Sequence, residues 1–278
     1  MAWQKILYRR QNEYADNYSG GDEQFLSELR KNQSVVRYEY WEAVRGTIIL
    51  MCHFDVISLY FALFFNILHK NWPSQILDAV FLCVIIAYIF FCQILALKQL
   101  DKKNHGRTLV TLILFGYAFT PVIRTLTTSI STDTIYAVSI ISAIISTIFH
   151  DYGVKGPIVS YPISMSSGLC SAIFLLSRLE NNWQAFSLLV IAFALHSYAS
   201  EFRLQMFAKF PQTSQLISLI FAGFSTFFMC QFSTELAIFW TFLHIFVVFI
   251  CPWILVRKQS AKCTIHGPWD EAVPLKSM

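Results

Sequence analysis

Long apolar stretches separated by short polar ones recur between Thr47 and Val256, about eight in all. A hydrocarbon core about 30 Å thick takes roughly 20 apolar residues per helical crossing, and the stretches approach that length. The pattern predicts an all-α fold, a polytopic membrane helical bundle of about eight transmembrane helices. The expected spans are Thr47–Leu68, Ile76–Leu97, Thr108–Ile123, Thr134–Phe149, Ile158–Leu176, Trp183–Ser200, Thr213–Met229 and Glu235–Val256. Pro121 falls near the end of the third, where it removes a backbone donor. In the fifth, Ser164, Ser167, Gly168, Ser171 and Ala172 recur at three- and four-residue intervals. Small residues so spaced let a neighbouring backbone approach closely, which predicts a buried fifth span.

Three regions follow: residues 1–46, an N-terminal segment with a short amphipathic helix; residues 47–256, the bundle; and residues 257–278, a tail. Composition supports a bilayer solvent, because 55% of residues are hydrophobic and only 14% charged. What remains outside the spans is too little for a separate catalytic domain with its own core.

Charge sets the expected orientation. With a cytosolic N-terminus, all of the 21 Lys and Arg except Lys70, Arg124 and Arg178 fall on the cytosolic side. That asymmetry places both termini in the cytosol if the number of spans is even. The N-terminus shows no apolar core of a cleaved signal peptide, and no lipidation box or luminal retention signal closes the chain. The sequons at Asn17 and Asn32 lie in the segment expected to be cytosolic, so they are expected to stay unmodified.

The seven cysteines show no CxxC pair and no zinc spacing, and they read as small packing residues. In the N-terminal segment, Phe25, Leu26 and Leu29 form an apolar stripe on a helix that begins at Asp22-Glu23 and ends at Arg30-Lys31. Without a clear basic face, that helix suits docking on a protein better than lying on a membrane.

Ionisable groups inside spans are costly and face a partner. His53 and Asp55, two residues apart in the first span, project about 200° from each other and cannot share one ion. Between spans three and four, Arg124 and Asp133 bracket a hydroxyl-rich turn; Asp133 is placed to cap the fourth helix, and the strip offers lipid-headgroup contacts. Between spans four and five, His150, Asp151 and Lys155 stand beside Gly153 and Gly156-Pro157, a turn whose His150 and Lys155 suit phosphate or inositol hydroxyls. The tail motif His266-Gly267-Pro268-Trp269-Asp270-Glu271 reads as a docking peptide, with Trp269 as its amphipathic anchor. One histidine without a second at ligand spacing argues against a metal there. No Asp-x-Asp, Walker A, His-Glu-x-x-His or Gly-x-Ser-x-Gly occurs, and no cofactor, catalytic residue or nucleic-acid partner is expected.

Several blocks carry a resemblance. They are Trp3-Gln4-Lys5-Ile6-Leu7-Tyr8-Arg9-Arg10-Gln11 with Asp16-Asn17-Tyr18, Phe25 to Asn32, Ser131-Thr132-Asp133-Thr134-Ile135-Tyr136-Ala137, Asp151-Tyr152-Gly153, Ser177-Arg178-Leu179 and Ile265 to Ala272. In this order the chain resembles the C-subunit family of phosphatidylinositol N-acetylglucosaminyltransferase, the complex that begins glycosylphosphatidylinositol (GPI) anchor synthesis. The resemblance implies an endoplasmic reticulum membrane protein. Its implied partners are the catalytic glycosyltransferase A-subunit, the other membrane subunits, phosphatidylinositol and membrane lipids. It also implies a non-catalytic component, because the glycosyltransferase fold belongs to the A-subunit. Family members carry an acidic residue where this chain has Thr128, so no role falls to a carboxylate there. Two other readings stand beside this one: a polytopic transporter or lipid scramblase, and an integral membrane transferase.

Overall fold

A computed structural model of the chain describes residues 38–70, 72, 78–80, 82–83, 86, 102–153, 159–210 and 213–259. All regular structure among them is helical. The helices are α1 (Tyr40–Lys70), α2 (Lys102–Thr127), α3 (Thr132–Phe149), α4 (Tyr161–Leu176), α5 (Asn182–Phe193), α6 (Ala199–Lys209), α7 (Thr213–Phe232), α8 (Thr234–Ile245) and α9 (Cys251–Lys258). A π turn at Ala194–Tyr198 joins α5 to α6, and another at Phe246–Ile250 joins α8 to α9. The chain divides into two compact units, residues 39–254 and the two chain ends. In the second unit, Tyr38 N–H donates to Gln259 Oε1 at 3.1 Å and Gln259 Nε2 donates to Tyr38 O at 2.8 Å.

Five described helical stretches are long and apolar enough to cross a membrane: Tyr40–Lys70, Thr132–Phe149, Asn182–Phe207, Gln215–Phe232 and Thr234–Lys258. Tyr161–Leu176 is apolar but shorter. The expected span Ile76–Leu97 lies for the most part outside the described residues. Several observed helices outrun their expected spans: α2 runs from Lys102 to Thr127 with Pro121 inside it, and α1 and the sixth span run on for lack of a strong breaker. Nothing between Tyr40 and Thr47 stops α1, and the sixth span continues past Ser200 to Lys209, just before Pro211.

Local chemistry sets the helix starts. Asn181 Oδ1 accepts from Trp183 N–H at 2.9 Å before α5, and Ser233 Oγ accepts from Leu236 N–H at 3.3 Å before α8. The cap of α3 corrects the reading of Asp133. Ser131 is in extended backbone and its Oγ accepts from Thr134 N–H at 3.2 Å, while Asp133 sits exposed inside the first turn. There its charge still favours the positive end of the helix dipole. At the other end of α3, Gly153 adopts φ +82, a conformation that L side chains rarely take, and the chain turns.

Packing places α1 and α5 in the middle. In their most apolar stretches 61% and 56% of residues are buried, against 17% along α7 and 11% along α8 with its continuation. The core joins Tyr60, Leu63 and Phe64 of α1 to Ala172, Leu175 and Leu176 of α4 and to Leu188, Ile191 and Ala192 of α5. Large apolar side chains such as Ile144 on α3, Leu219 and Phe227 on α7 and Ile238 and Phe242 on α8 face outward, as a lipid solvent permits.

The buried small face expected in the fifth span is present on α4. Ser139 Oγ donates to Ser171 O at 3.0 Å, and Ser146 Oγ donates to Ser164 O at 2.8 Å, so α3 and α4 run antiparallel with their backbones close. Along α1 and α7 the pairs Ser58 with Ser225 and Asn66 with Phe228 advance together, which makes those helices parallel. Tyr40 Oη donates to Phe249 O and Asp55 meets His244, so α1 and α8 are antiparallel. Gly116 faces Leu189 and Arg124 meets Asn182, which makes α2 and α5 antiparallel.

Candidate functional site

The sequence puts ionisable groups on or beside four helical elements, and the fold gathers them. His53 lies within α1, His150 follows the last residue of α3, His196 sits in the π turn after α5, and Arg203 lies on α6. Their exposures are 2%, 5%, 5% and 3% respectively, so all four are removed from solvent. His196, Ser200 and Arg203 recur at four- and three-residue spacing, which would align them on one helical face. The π turn adds a residue at His196, a distortion that recurs at functional sites.

The rings of His53 and His150 stack with centroids 3.8 Å apart and planes 16° from parallel. Tyr152 stands edge-on to both, at 4.9 Å from His150 and 6.2 Å from His53. His150 Nδ1 lies 3.3 Å from Ser164 Oγ, which itself donates to Ser146 O at 2.8 Å. Arg203 Nη2 donates to Ser200 Oγ at 3.0 Å, and Nη1 donates to Cys52 Sγ, a weak acceptor, at 3.2 Å. Its guanidinium carbon is 5.9 Å from the centre of the Phe221 ring.

Among the described residues, no carboxylate stands within ion-pair distance of Arg203, and both ring nitrogens of His53 and Nδ1 of His196 lack a hydrogen-bond partner. Buried polar atoms are almost always paired, so such a group calls for an explanation. A buried cation beside unpaired imidazole nitrogens is an arrangement that lacks an anion.

A second feature borders this one. Phe54, Phe61, Ala143, Thr147, Met229 and Trp240 help line an apolar groove of about 350 Å³ between α1, α3, α7 and α8. Volumes of this order suit small ligands. Phe54 follows His53 in the chain, and Tyr152 Oη donates to the carbonyl of the groove residue Thr147 at 2.7 Å. On the groove's α8 side, Asp55 is 1% exposed and pairs with His244 Nε2 at 2.9 Å, while Trp240 Nε1 donates to Asp55 Oδ1 at 3.2 Å. His53 and Asp55 thus serve different partners, as their angular separation on α1 requires.

The sequence candidates separate in space. His150 joins the cluster, and Asp151 stays local, accepting from Gly153 N–H at 2.8 Å through Oδ1. Arg124, whose Nη1 donates to Asn182 Oδ1, and Asp133 lie near the start of α3. An 18-residue helix places them about 27 Å from His150. They do not share a site with it. Lys155 and the docking candidates Phe25, Leu26, Leu29, His266, Trp269, Asp270 and Glu271 lie outside the described residues. Reading the sequence alone passed over His196, Arg203, Trp240 and His244. The signal for the first two was the polar spacing running past the expected end of the sixth span.

Burial, followed by the charges of Arg203 and His196, holds His150 at about 3, far below the usual imidazole range. Burial pushes the Tyr152 phenol up. As pH falls below about 6.5 the unfolded chain takes up the His150 proton and the folded chain does not. Stability is therefore present above 6.5 and is lost towards 3, at up to about 1.4 kcal/mol per pH unit for one such group. Melting of the detergent-solubilised protein is expected to fall between pH 6.5 and 4.5, and His150→Gln is expected to flatten that slope. An unchanged slope in the variant would remove His150 as its source.

Known proteins similar to the chain fall in one family. A family model described as phosphatidylinositol N-acetylglucosaminyltransferase, GPI2, matches residues 3–270. The C-subunit of phosphatidylinositol N-acetylglucosaminyltransferase from Homo sapiens is 33% identical over 281 residues, covering 97% of this chain and 92% of the human protein. A putative C-subunit of the same transferase from Dictyostelium discoideum is 29% identical, covering 97% of this chain and 79% of its own. The GPI2 subunit of Schizosaccharomyces pombe is 25% identical, covering 98% and 86%. No solved structure matches the chain.

Proposed function

The chain belongs to the GPI2 family of phosphatidylinositol N-acetylglucosaminyltransferase, and from that premise we propose that it is a non-catalytic, multi-span subunit of the enzyme that transfers N-acetylglucosamine from UDP-GlcNAc to phosphatidylinositol. In this reading the chain sits in the endoplasmic reticulum membrane, holds the other subunits, and presents the lipid acceptor to a glycosyltransferase subunit, which carries the reacting groups. Positioning alone removes a large part of a bimolecular barrier.

The observation that carries the reading is end-to-end similarity to a protein named as a subunit, over 97% of this chain and 92% of the relative. The described helix directions support eight crossings with both ends on one face. By its antiparallel packing against α5, α2 runs in the same sense as α1, since α5 opposes both: Tyr60 of α1 meets His196, and Cys52 meets Arg203 further along. Two consecutive described helices with the same sense agree with the expected span Ile76–Leu97 between them. Tyr40 of α1 bonds to Phe249 beyond α8, which supports the start of the first span and the end of the last lying at one face. The Lys and Arg distribution favours a cytosolic assignment for that face.

The test is purification of the tagged full-length chain from membranes in mild detergent. Glycosyltransferase subunits are expected to come with it, and the assembly is expected to transfer sugar to phosphatidylinositol. Recovery as a monomer free of transferase would overturn the scaffold reading, and turnover of UDP-GlcNAc by the isolated chain would overturn the non-catalytic one.

A further inference from the structure

We propose that the buried His53, His150, His196 and Arg203 cluster binds the phosphodiester of phosphatidylinositol, while the bordering groove holds one of its acyl chains. The inference deepens the acceptor-presenting reading and rests on it. Three observations lead there.

The first is the chemistry of the cluster. A guanidinium offers five N–H donors and suits phosphate oxygens in a two-point contact. Arg203 uses Nη1 and Nη2 on a thiol and a hydroxyl, which leave its charge without a counterion among the described residues. A neutral imidazole still supplies one N–H. The unpaired His53 ring therefore adds one donor that no residue in the described structure takes, while His196 Nδ1 lies against Gly168 of α4. A buried charge without a partner costs several kcal/mol, and intramembrane ionisable groups kept at such cost mark functional sites.

The second is the groove. It runs along α1 from Phe54 to Phe65, eleven residue steps, or about 16 Å, the scale of an acyl chain rather than of a soluble metabolite. Its lining is almost wholly apolar, with Ser58 and Thr147 the hydroxyl-bearing members.

The third is their order across the membrane. The groove's far end is formed by Phe65, Phe232 and Leu236, and its near end by Phe54 and Thr147, next to His53 and Tyr152. On the proposed orientation the polar cluster faces the cytosolic leaflet and the apolar part points to the bilayer centre. A phospholipid of that leaflet has the same polarity. Arg203 has no carboxylate within ion-pair distance among the described residues, so an anionic phospholipid suits the cluster better than the zwitterionic phosphatidylcholine.

The experiment exchanges the purified full-length chain into mixed micelles containing phosphatidylinositol, phosphatidylcholine, or neither with millimolar inorganic phosphate, and measures retained ligand by native mass spectrometry. Phosphatidylinositol is expected to be retained at least tenfold over phosphatidylcholine. Arg203→Met is expected to cut that retention at least tenfold without lowering the melting temperature, because it removes a buried charge that has no counterion among the described residues. Ala143→Trp, filling the groove, is expected to cut lipid retention while leaving any phosphate protection unchanged.

Equal retention of phosphatidylinositol by Arg203→Met overturns the cluster assignment. Protection by phosphate with no effect of Ala143→Trp overturns the lipid assignment in favour of a free anion. A chain that recovers transferase but fails these tests loses the lipid slot and keeps the subunit reading. One that passes them without recovering transferase keeps the slot and loses the subunit reading.

Discussion

His244→Ala is expected to destabilise the folded chain by about 3–5 kcal/mol, the usual result of stripping one partner from a buried ion pair. Asp55 is 1% exposed and deep within α1. His244 Nε2 stands 2.9 Å from one of its oxygens and 3.1 Å from the other, and His244 Nδ1 lies 3.0 Å from Trp240 O. Both imidazole nitrogens therefore face acceptor oxygens, an arrangement fully satisfied only when both carry protons. Loss of the ring leaves a carboxylate in the bundle with one neutral indole donor.

Asp55→Ala removes the charge together with its cost, so a smaller loss of about 1–3 kcal/mol is expected from the donors left unpaired. The double variant is expected to be more stable than the two single losses summed, because the second change removes the stranded partner of the first. Unfolding of the detergent-solubilised protein gives the comparison. Ordinary hydrogen bonds between membrane helices average about 0.6 kcal/mol. A loss of that size for His244→Ala would contradict an ion pair.

Gly168→Ala is the second large effect. A Cβ there would lie 2.5 Å from His196 Nδ1, 2.9 Å from Cγ and 3.0 Å from Cε1, so it meets a whole ring edge rather than a flexible tip. That ring also stands 6.2 Å from Tyr60, centre to centre, and Tyr60 is fixed by donating to Ala172 O at 3.2 Å. Either α4 moves off the π turn or His196 leaves the cluster. Overpacking of this kind costs about 1–3 kcal/mol.

Adding His196→Ala to Gly168→Ala is expected to restore the melting temperature but not retention of phosphatidylinositol. Gly223→Ala is the control, since nothing lies within 4 Å of its added Cβ. It is expected to be neutral or to gain up to about 1 kcal/mol from helix propensity. Equal melting of Gly168→Ala and Gly223→Ala would show that the close contact of α4 with His196 is not tight.

Helices were legible in the sequence because hydrophobic length is a local property. A run such as Glu235–Val256 needs no partner to declare itself, and it is found within Thr234–Lys258. Small residues on the fifth span were legible for a similar reason, since spacing alone sets which face they share. Asp133 was misplaced as a cap because Ser131, two residues earlier, was equally able to accept the same kind of bond. Only the backbone conformation chose between them.

The cluster was half legible. His53 and His150 drew notice as polar groups in or beside apolar spans, yet Arg203 was counted with a loop because the sixth span was expected to stop at Ser200. A single unbroken helix carries it inward instead. Arg124 and Asp133 lie at the other end of α3 from His150, a separation that only the helix between them sets.

By itself, then, the chain's pattern of apolar and charged residues determined that it is helical and built for a bilayer, since the energy of moving apolar groups out of water depends on each segment alone. Which buried groups meet was decided by tertiary structure. His53 reaches His150 across 97 positions and Asp55 reaches His244 across 189. Such distant pairings depend on how α1 is turned about its axis among its neighbours, and the packing of the whole bundle sets that turn.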